Sequence, residues 1–471
     1  MNSPNPHIEA FGTKVVSFRF RGRSYGCALS HGLFSSADID SGSRFLLKVF
    51  SEVLDNDLKS KKPLPRTVLD AGCGTGVLGI CAAGALKAES GAPGMSGIEE
   101  PCVHVHAQDR DELARIFTAY NARQNGLGPE TLSAWTEPLL AGPGNWDLIL
   151  SNIPAKAGLP VLEDFVSRSA SLLSPGGRVL LVAVNTLQDF FDHQIKSKAS
   201  LLSRENGQGH TVFLYGPGPQ GIKAEKPEAA FPGLTTDDFF AQCPKYFRNS
   251  GNYEIEKTPY HLDTIHGAPG FDSPGGEVLC AAKLALKLLK DEIQCGASPI
   301  LIWEGDQGHF STWLTQYVRR SIDHRPIDRR STDRQPLDFV LAGRNILSLA
   351  AARHNTAAAL AQFPDTESSV GIVSAADPYL DREKILKEAA KLRGGRDTQG
   401  FPCIAAFPEI IPQTNVIELL WEGFRALASG LVIVGLPSAE AERFDRKRPK
   451  DFARGGDLRR DGFRALAYRK L

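Results

Sequence analysis

The stretch Thr67 to Ala82, T-V-L-D-A-G-C-G-T-G-V-L-G-I-C-A, limits the possible folds more than any other part of the chain. An apolar β-branched run ends at Asp70, glycines follow at 72, 74, 76 and 79, and an apolar helical pattern then begins. This order predicts a strand, a tight turn and a helix. Glycines let the backbone turn sharply and let a ligand approach the N–H groups at the helix start, where unsatisfied donors and the helix dipole gather. The unit is therefore a nucleotide-binding βα element in an α/β domain.

Two ligands fit such a loop. Gly74-x-Gly76-x-x-Gly79 alone suits the pyrophosphate of NAD or FAD. Read instead as Asp70-x-Gly72-x-Gly74-x-Gly76, it resembles motif I of the class I S-adenosylmethionine-dependent methyltransferases, a Rossmann-like family. That resemblance implies that Gly72, Cys73, Gly74, Thr75 and Gly76 cradle the methionine part of S-adenosylmethionine. It also implies that Asp70 helps hold the ammonium and that Asp109, ending the next strand, binds the ribose hydroxyls. Arg110 and Glu137 are further cofactor-binding candidates.

A second motif sharpens the resemblance. Phe34-Ser35 followed by Asp40-x-Gly42-Ser43 is similar to an element of the ribosomal RNA guanine-N2 methyltransferases, where it borders the cofactor. It adds Phe34, Asp40 and Gly42 to the cofactor candidates. Read without the family, the same residues are a loop and a helix N-cap before Phe45, Leu46, Val49 and Phe50.

Asn145 to Gly158, N-W-D-L-I-L-S-N-I-P-A-K-A-G, reads as a strand and the turn leaving it, at the sheet edge where ligands of open α/β folds bind. The turn resembles the S-N-P-P-F/Y motif of amino-group methyltransferases. The resemblance implies catalytic roles for Asn152, Ile153 and Pro154: the Asn152 side chain, itself also near the cofactor, and the Ile153 carbonyl accept from an exocyclic amine. Ile153 stands in place of the first proline and Ala155 in place of the aromatic residue, which removes a stacking surface worth about 1–3 kcal/mol.

With 471 residues the chain exceeds one ordinary core, and two domains are expected. The order of elements returns after a Pro- and Gly-rich stretch. The boundaries read as a catalytic domain 1–216, a linker 217–250 carrying a short helix, and a degenerate, non-catalytic repeat 251–471. In the repeat Trp303 falls near the place of Asp70, Gly343 or Arg344 at that of Asp109, and Ala375 at that of Asn152. Each lost charge-assisted hydrogen bond costs about 1.5–3 kcal/mol, so the second copy is expected not to bind cofactor. The resembling family also carries tandem intact and degenerate copies, but with the degenerate copy first.

Lys plus Arg and Asp plus Glu number 54 each, which excludes a globally basic nucleic-acid binder and leaves local patches. Arg19, Arg21 and Arg23 on one strand face read as a solvated edge or as a contact to RNA phosphate. Basic residues from Arg319 to Arg334 and from Arg443 to Arg460 carry the same two readings, the second cluster with few compensating acids. His104 and His106 share a strand face without a third ligand, so no metal is expected. Scattered cysteines and a polar start suggest reduced thiols in a cytoplasm, and no apolar run reaches the length of a membrane span. The expectation is thus two Rossmann-like α/β domains in tandem, a monomer, acting on ribosomal or other structured RNA, with a small molecule or a protein amide as alternative acceptors and a non-enzymatic RNA-binding module as the other class.

Overall fold

The computed structural model describes residues 5–34, 36–90, 103–140, 144–218, 244–270, 272–292, 299–323, 336–363, 368–395 and 400–471. The chain divides into two compact units, Met1–Pro232 and Gly233–Leu471.

The first unit opens with a short helix, α1 (Pro6–Phe11), and an antiparallel hairpin of β1 (Lys14–Phe20) and β2 (Arg23–Leu29). The continuous alternation from Lys14 to Tyr25 conceals its turn: Arg21 and Gly22 both lie at positive φ, 46° and 75°, as a two-residue hairpin turn of type I′ needs. Arg21 is thus not on a strand face. Its guanidinium meets Asp55 at 2.6 Å and Glu89 at 2.9 Å, so it ties the turn to two helices.

Helix α2 (Ser41–Lys59) follows, capped by Asp40, and then the sheet. Its strands are β3 (Thr67–Ala71), β4 (His104–Asp109), β5 (Leu132–Thr136), β6 (Trp146–Asn152), β7 (Leu173–Val184), β8 (Ser200–Asn206) and β9 (His210–Gly216), in the spatial order β5-β4-β3-β6-β7-β9-β8. The first five are parallel and β9 runs antiparallel to β7 and β8. Parallel strands need crossovers, supplied here by α3 (Val77–Ser90), α4 (Glu112–Gln124) and α5 (Leu159–Ser171); α6 (Gln188–Lys198) joins β7 to β8. Val68, Leu69, Val105, Ile149 and Leu180 are fully buried, as strands covered on both faces must be. Helix α3 runs through the Ala-rich segment after motif I to Ser90, and residues 91–102 lie outside the described residues. Pro175-Gly176-Gly177 is an irregularity within β7, where the register against β6 shifts.

The second unit repeats this plan. A hairpin of β10 (Phe247–Ile255) and β11 (Thr258–Ile265) precedes a second seven-stranded sheet in the order β14-β13-β12-β15-β16-β18-β17. Its strands are β12 (Ile300–Trp303), β13 (Phe339–Gly343), β14 (Val370–Ser374), β15 (Phe401–Ala406), β16 (Ala428–Pro437), β17 (Phe452–Arg460) and β18 (Phe463–Lys470). The first strand begins at Phe247, inside the stretch read as a linker; residues 219–243 of that stretch lie outside the described residues, and a single 3₁₀ turn, Pro244–Tyr246, precedes the strand.

The repeat extends to side chains. Phe18 stacks on Tyr25 at 5.7 Å in one hairpin and Tyr253 on Tyr260 at 5.7 Å in the other. Asn121 of α4 bonds both backbone groups of Ala28 and the carbonyl of Thr75. Asn355 does the same to Asp263 and Gln307. In each unit a buried asparagine thus staples the hairpin to the loop after the first sheet strand.

Sheet register corrects two equivalences in the repeat. Ala71 pairs with Gln108, and Gly72 N–H donates to Gln108; Trp303 pairs with Ala342, and Glu304 N–H donates to Ala342. Trp303 therefore matches Ala71, and Ile302 stands in the place of Asp70. Val370–Ser374 is the outer strand matching β5, so Ala375 corresponds to Glu137; both N–H groups return to the preceding strand, at Gly343 and Asp109. The strand matching β6 is β15, and the counterpart of Asn152 is Phe407.

The basic segments also differ from expectation. Arg319 is buried, donating to Ser368, while 324–335 lie outside the described residues. At the chain's end Lys447 pairs with Glu418, Arg454 with Asp445, Arg459 with Glu442 and Arg460 with Asp461. The acids come from neighbouring elements as well as from the segment itself, and they leave a charge-laced surface rather than a bare basic patch.

Candidate active site

In the first unit the carboxyl ends of β4, β3 and β6 lie side by side, and the Ser151 hydroxyl on β6 donates to the Ala71 carbonyl of β3 at 2.8 Å. The loop leaving β3 holds Gly72, Gly74 and Gly76 at φ of 81°, 56° and 86°. At Gly76 an added Cβ would come within 2.8 Å of Thr118, so close approach excludes a side chain. At Gly74 it would meet nothing within 4 Å: that face of the loop is open, a cradle bounded by backbone. Cys73 and Thr75 are buried beneath it, and Thr118 donates to the Gly74 carbonyl.

Asp70 is fully buried. Its Oδ2 accepts from Gly79 N–H at 2.8 Å, and its Oδ1 has no hydrogen-bond partner among the described residues. Burial raises its pKa to about 7; the Gly79 N–H opposes this and the nearby Asp109 adds to it. Asp109 accepts from Gly74 N–H through Oδ2 and from Asp111 N–H through Oδ1, both at 3.0 Å. Burial, then the charge of Asp111, pushes its carboxyl up as well. Arg110 is exposed on the same turn. Glu137 sits beyond the end of β5, its carboxylate 3.0 Å from His106 Nε2, while the His106 ring stacks on Trp135. His104 reaches the Glu130 carbonyl and Ser133 instead. Among the described residues no cluster of His, Cys, Asp or Glu suits a metal ion.

Asn152 ends β6. Its Nδ2 donates to Asp40 Oδ2 at 3.0 Å and to Ser43 Oγ at 3.1 Å. Asp40 Oδ1 meanwhile caps α2 by accepting from Gly42 and Ser43 N–H. A Cβ at Gly42 would lie 3.0 Å from both Asp40 Oδ1 and the His210 ring, a tight approach. Ile153 is buried, Pro154 and Ala155 are exposed, and Phe34 stands 74% exposed. The structure thus brings Asp40, Gly42 and Asn152 together, and the glycine loop together with Asp70 and Asp109. Sequence reasoning passed over Ser43, which stood in the quoted motif, and Asn121, whose signal was its recurrence as Asn355.

In the second unit the loop has the same backbone with different contents. Glu304, Asp306 and Gly308 occupy the places of Gly72, Gly74 and Gly76 at φ of 53°, 47° and 96°. Asp306 accepts from Gly308 and His309 N–H, so the helix His309–Asp323 starts on the protein's own carboxylate. Glu304 accepts from Arg344 N–H at 2.8 Å and lies 3.1 Å from where Gly343 would carry a Cβ. A carboxylate thus occupies the crevice that Asp109 borders in the first unit.

A sheet of this order, with a glycine cradle after its first strand and an acid after its second, is the architecture of class I S-adenosylmethionine-dependent methyltransferases, and the first unit has that fold. Residues 25–197 match the family model of the methyltransferase small domain. The chain is 30% identical to the ribosomal RNA small subunit methyltransferase C of Chromohalobacter salexigens, over 32% of this chain and 40% of that one. It is 36% identical to the ribosomal protein L11 methyltransferase of Bradyrhizobium diazoefficiens, over 29% and 40%. The matched part spans about two-fifths of either relative's length. Among solved structures, the T. thermophilus 16S rRNA N2 G1207 methyltransferase (RsmC) in complex with AdoMet and guanosine aligns over 97% of this chain and 98% of its own, with a TM-score of 0.56 and 14% identity. That likeness is one of fold, and it covers both units.

The residues present fit S-adenosylmethionine, the cofactor of this class. The unpartnered Asp70 Oδ1 is a buried acceptor suited to a cation, the open face at Gly74 admits a ligand against the backbone, and Asp109 offers further lone pairs.

Proposed function

We propose that the first unit transfers a methyl group to an amino group of a base in ribosomal RNA, with guanine N2 as acceptor. The observation that carries this reading is the state of Asn152. Both hydrogens of its carboxamide are engaged by Asp40 and Ser43, so its Oδ1 is left to accept from an amine at the edge of the glycine crevice. Asp70, the loop 72–76 and Asp109 hold the cofactor, with Arg110 and Glu137 at its rim and Phe34 and Gly42 on the facing side. When bound, S-adenosylmethionine would supply a methyl group already activated on a sulfonium, which the amine would take in exchange for one of its protons, released to water, while the sulfonium leaves as the neutral thioether. The chain's part is to hold the amine in line, through Asn152 Oδ1 and the Ile153 carbonyl. The second unit is a non-catalytic domain, and RNA as substrate implies a cytoplasmic setting.

The test is incubation of the full chain with labelled cofactor and ribosomal RNA from a strain lacking the gene, followed by mapping of the label. Label on one guanine is the expected result. A second reading is favoured by one observation: Ala155 removes the aromatic surface that grips a base, and a ribosomal protein methyltransferase is among the relatives. Label in a protein rather than in RNA would establish that reading and overturn the first.

A further inference from the structure

Asp40 enters through a motif that implies contact with the cofactor, yet the structure gives both of its carboxylate oxygens other work. Oδ1 accepts from Gly42 N–H at 2.8 Å and Ser43 N–H at 3.1 Å, which fixes the carboxylate on the first turn of α2. Oδ2 faces the opposite way and takes a hydrogen of Asn152 Nδ2 at 3.0 Å. Ser43 Oγ takes a hydrogen from the same nitrogen at 3.1 Å. A primary amide has two hydrogens and one oxygen, so with both hydrogens engaged the carboxamide can neither flip nor rotate without losing a charge-assisted bond. Gly42 permits the arrangement, because any Cβ there would press on Asp40 Oδ1 and on His210.

We infer that Asp40 is a positioning residue for methyl transfer: its carboxylate locks the carboxamide of Asn152 with Oδ1 toward the acceptor amine, and the resulting polarity of that amide makes the site select a hydrogen-bond donor. The inference rests on the proposed role of Asn152. A carboxamide in the flipped state would present N–H groups to an amine and repel it. The lock therefore discriminates between an amino group and a carbonyl at the same place on a base.

The experiment compares three full-length variants on the acceptor that the labelling identifies. Asp40→Asn keeps an oxygen for capping Gly42 and Ser43 but sets an NH₂ against that of Asn152. Its kcat should fall about tenfold to a hundredfold, with cofactor affinity within about threefold and melting temperature little changed. Asn152→Asp places two carboxylates face to face and should be at least as impaired. The double variant Asp40→Asn/Asn152→Asp exchanges donor and acceptor, restores the bond, and should exceed either single variant by about tenfold or more. A readout independent of turnover is the Asn152 side-chain amide in ¹⁵N–¹H spectra: two resolved, slowly exchanging protons in the parent, and altered shifts in Asp40→Asn. A double variant no better than the worse single, or unchanged amide resonances, would overturn the inference. Full activity of Asp40→Asn beside an inactive Asn152→Ala would overturn this inference alone, whereas full activity of Asn152→Ala would overturn the proposed role of Asn152 and this inference with it.

Discussion

The two units carry the same sheet, the same hairpin staple and the same loop backbone, and they differ in what the loop contains. In the first, glycines at 72, 74 and 76 leave backbone exposed to a ligand, and Asp109 stands across the crevice. In the second, Glu304 and Asp306 take the same left-handed conformations and turn their carboxylates onto the Arg344 N–H and onto the start of the next helix. Holding a non-glycine residue in that region costs about 1–2 kcal/mol, and the new hydrogen bonds offset it. On the same sheet plan, the second loop thus serves as a structural cap. The same left-handed loop conformation accommodates both an open cradle and one filled by side chains.

The largest effect that can sharpen this contrast is at Asn152, whose counterpart in the second unit is Phe407. Asn152→Ala should lower kcat by about a hundredfold or more and leave the cofactor dissociation constant within about threefold, because the side chain faces the acceptor. Single-turnover assays with parallel calorimetry check this; affinity falling along with rate would move Asn152 to the cofactor. Next comes Asp109→Ala, which imitates Gly343 and should weaken cofactor binding by about tenfold to a hundredfold, the worth of one charge-assisted bond. Unchanged affinity would remove Asp109 from the site.

A pH titration of cofactor affinity is smaller in effect and more specific. Asp70 titrates near 7 in the folded protein, above its ordinary value near 4, so the folded state binds the proton more tightly. Its contribution to stability is therefore largest in acid and declines as pH rises toward 7. A cationic group bound at Oδ1 favours the ionised form. Affinity should consequently rise about tenfold per pH unit up to about 7 and then level, and Asp70→Asn should flatten the curve. A flat profile in the parent would mean that Asp70 is purely structural. The smallest expected effect is at the surface: breaking the Lys447–Glu418 pair by Lys447→Gln should change stability by less than about 1 kcal/mol, checked by chemical denaturation.

Much of this was legible in the sequence. The strand, loop and helix around Asp70, the N-cap at Asp40 and the existence of a repeat all follow from local patterns, because capping and glycine spacing act within a few residues. What escaped was set by contacts distant in sequence. The Asp40–Asn152 bond joins residues 112 positions apart. The turn at Arg21-Gly22 hid inside an unbroken alternation, and Glu256-Lys257, its counterpart, carries no turn signature at all. Ala375, after β14, was matched to Asn152 because β14 and β15 are both short apolar runs, and only hydrogen-bond register shows that β15 is the counterpart of β6. The basic cluster looked uncompensated because Glu418 reaches it from a distant element and because Asp445 and Arg454, nine positions apart, meet only in the fold.

The central claim, that vacancy in the loop and not its backbone makes the first unit the cofactor site, is tested most directly by exchanging the residues at one matched position. S-adenosylmethionine is titrated calorimetrically into the full chain, into Gly74→Asp, which copies Asp306 at a left-handed position with room for a side chain, and into Asp306→Gly. The account predicts one site per chain in the parent, loss of about a hundredfold or more in affinity in Gly74→Asp with the melting temperature little changed, and one undiminished site in Asp306→Gly. Two sites in the parent, or tight binding that survives Gly74→Asp, would contradict it.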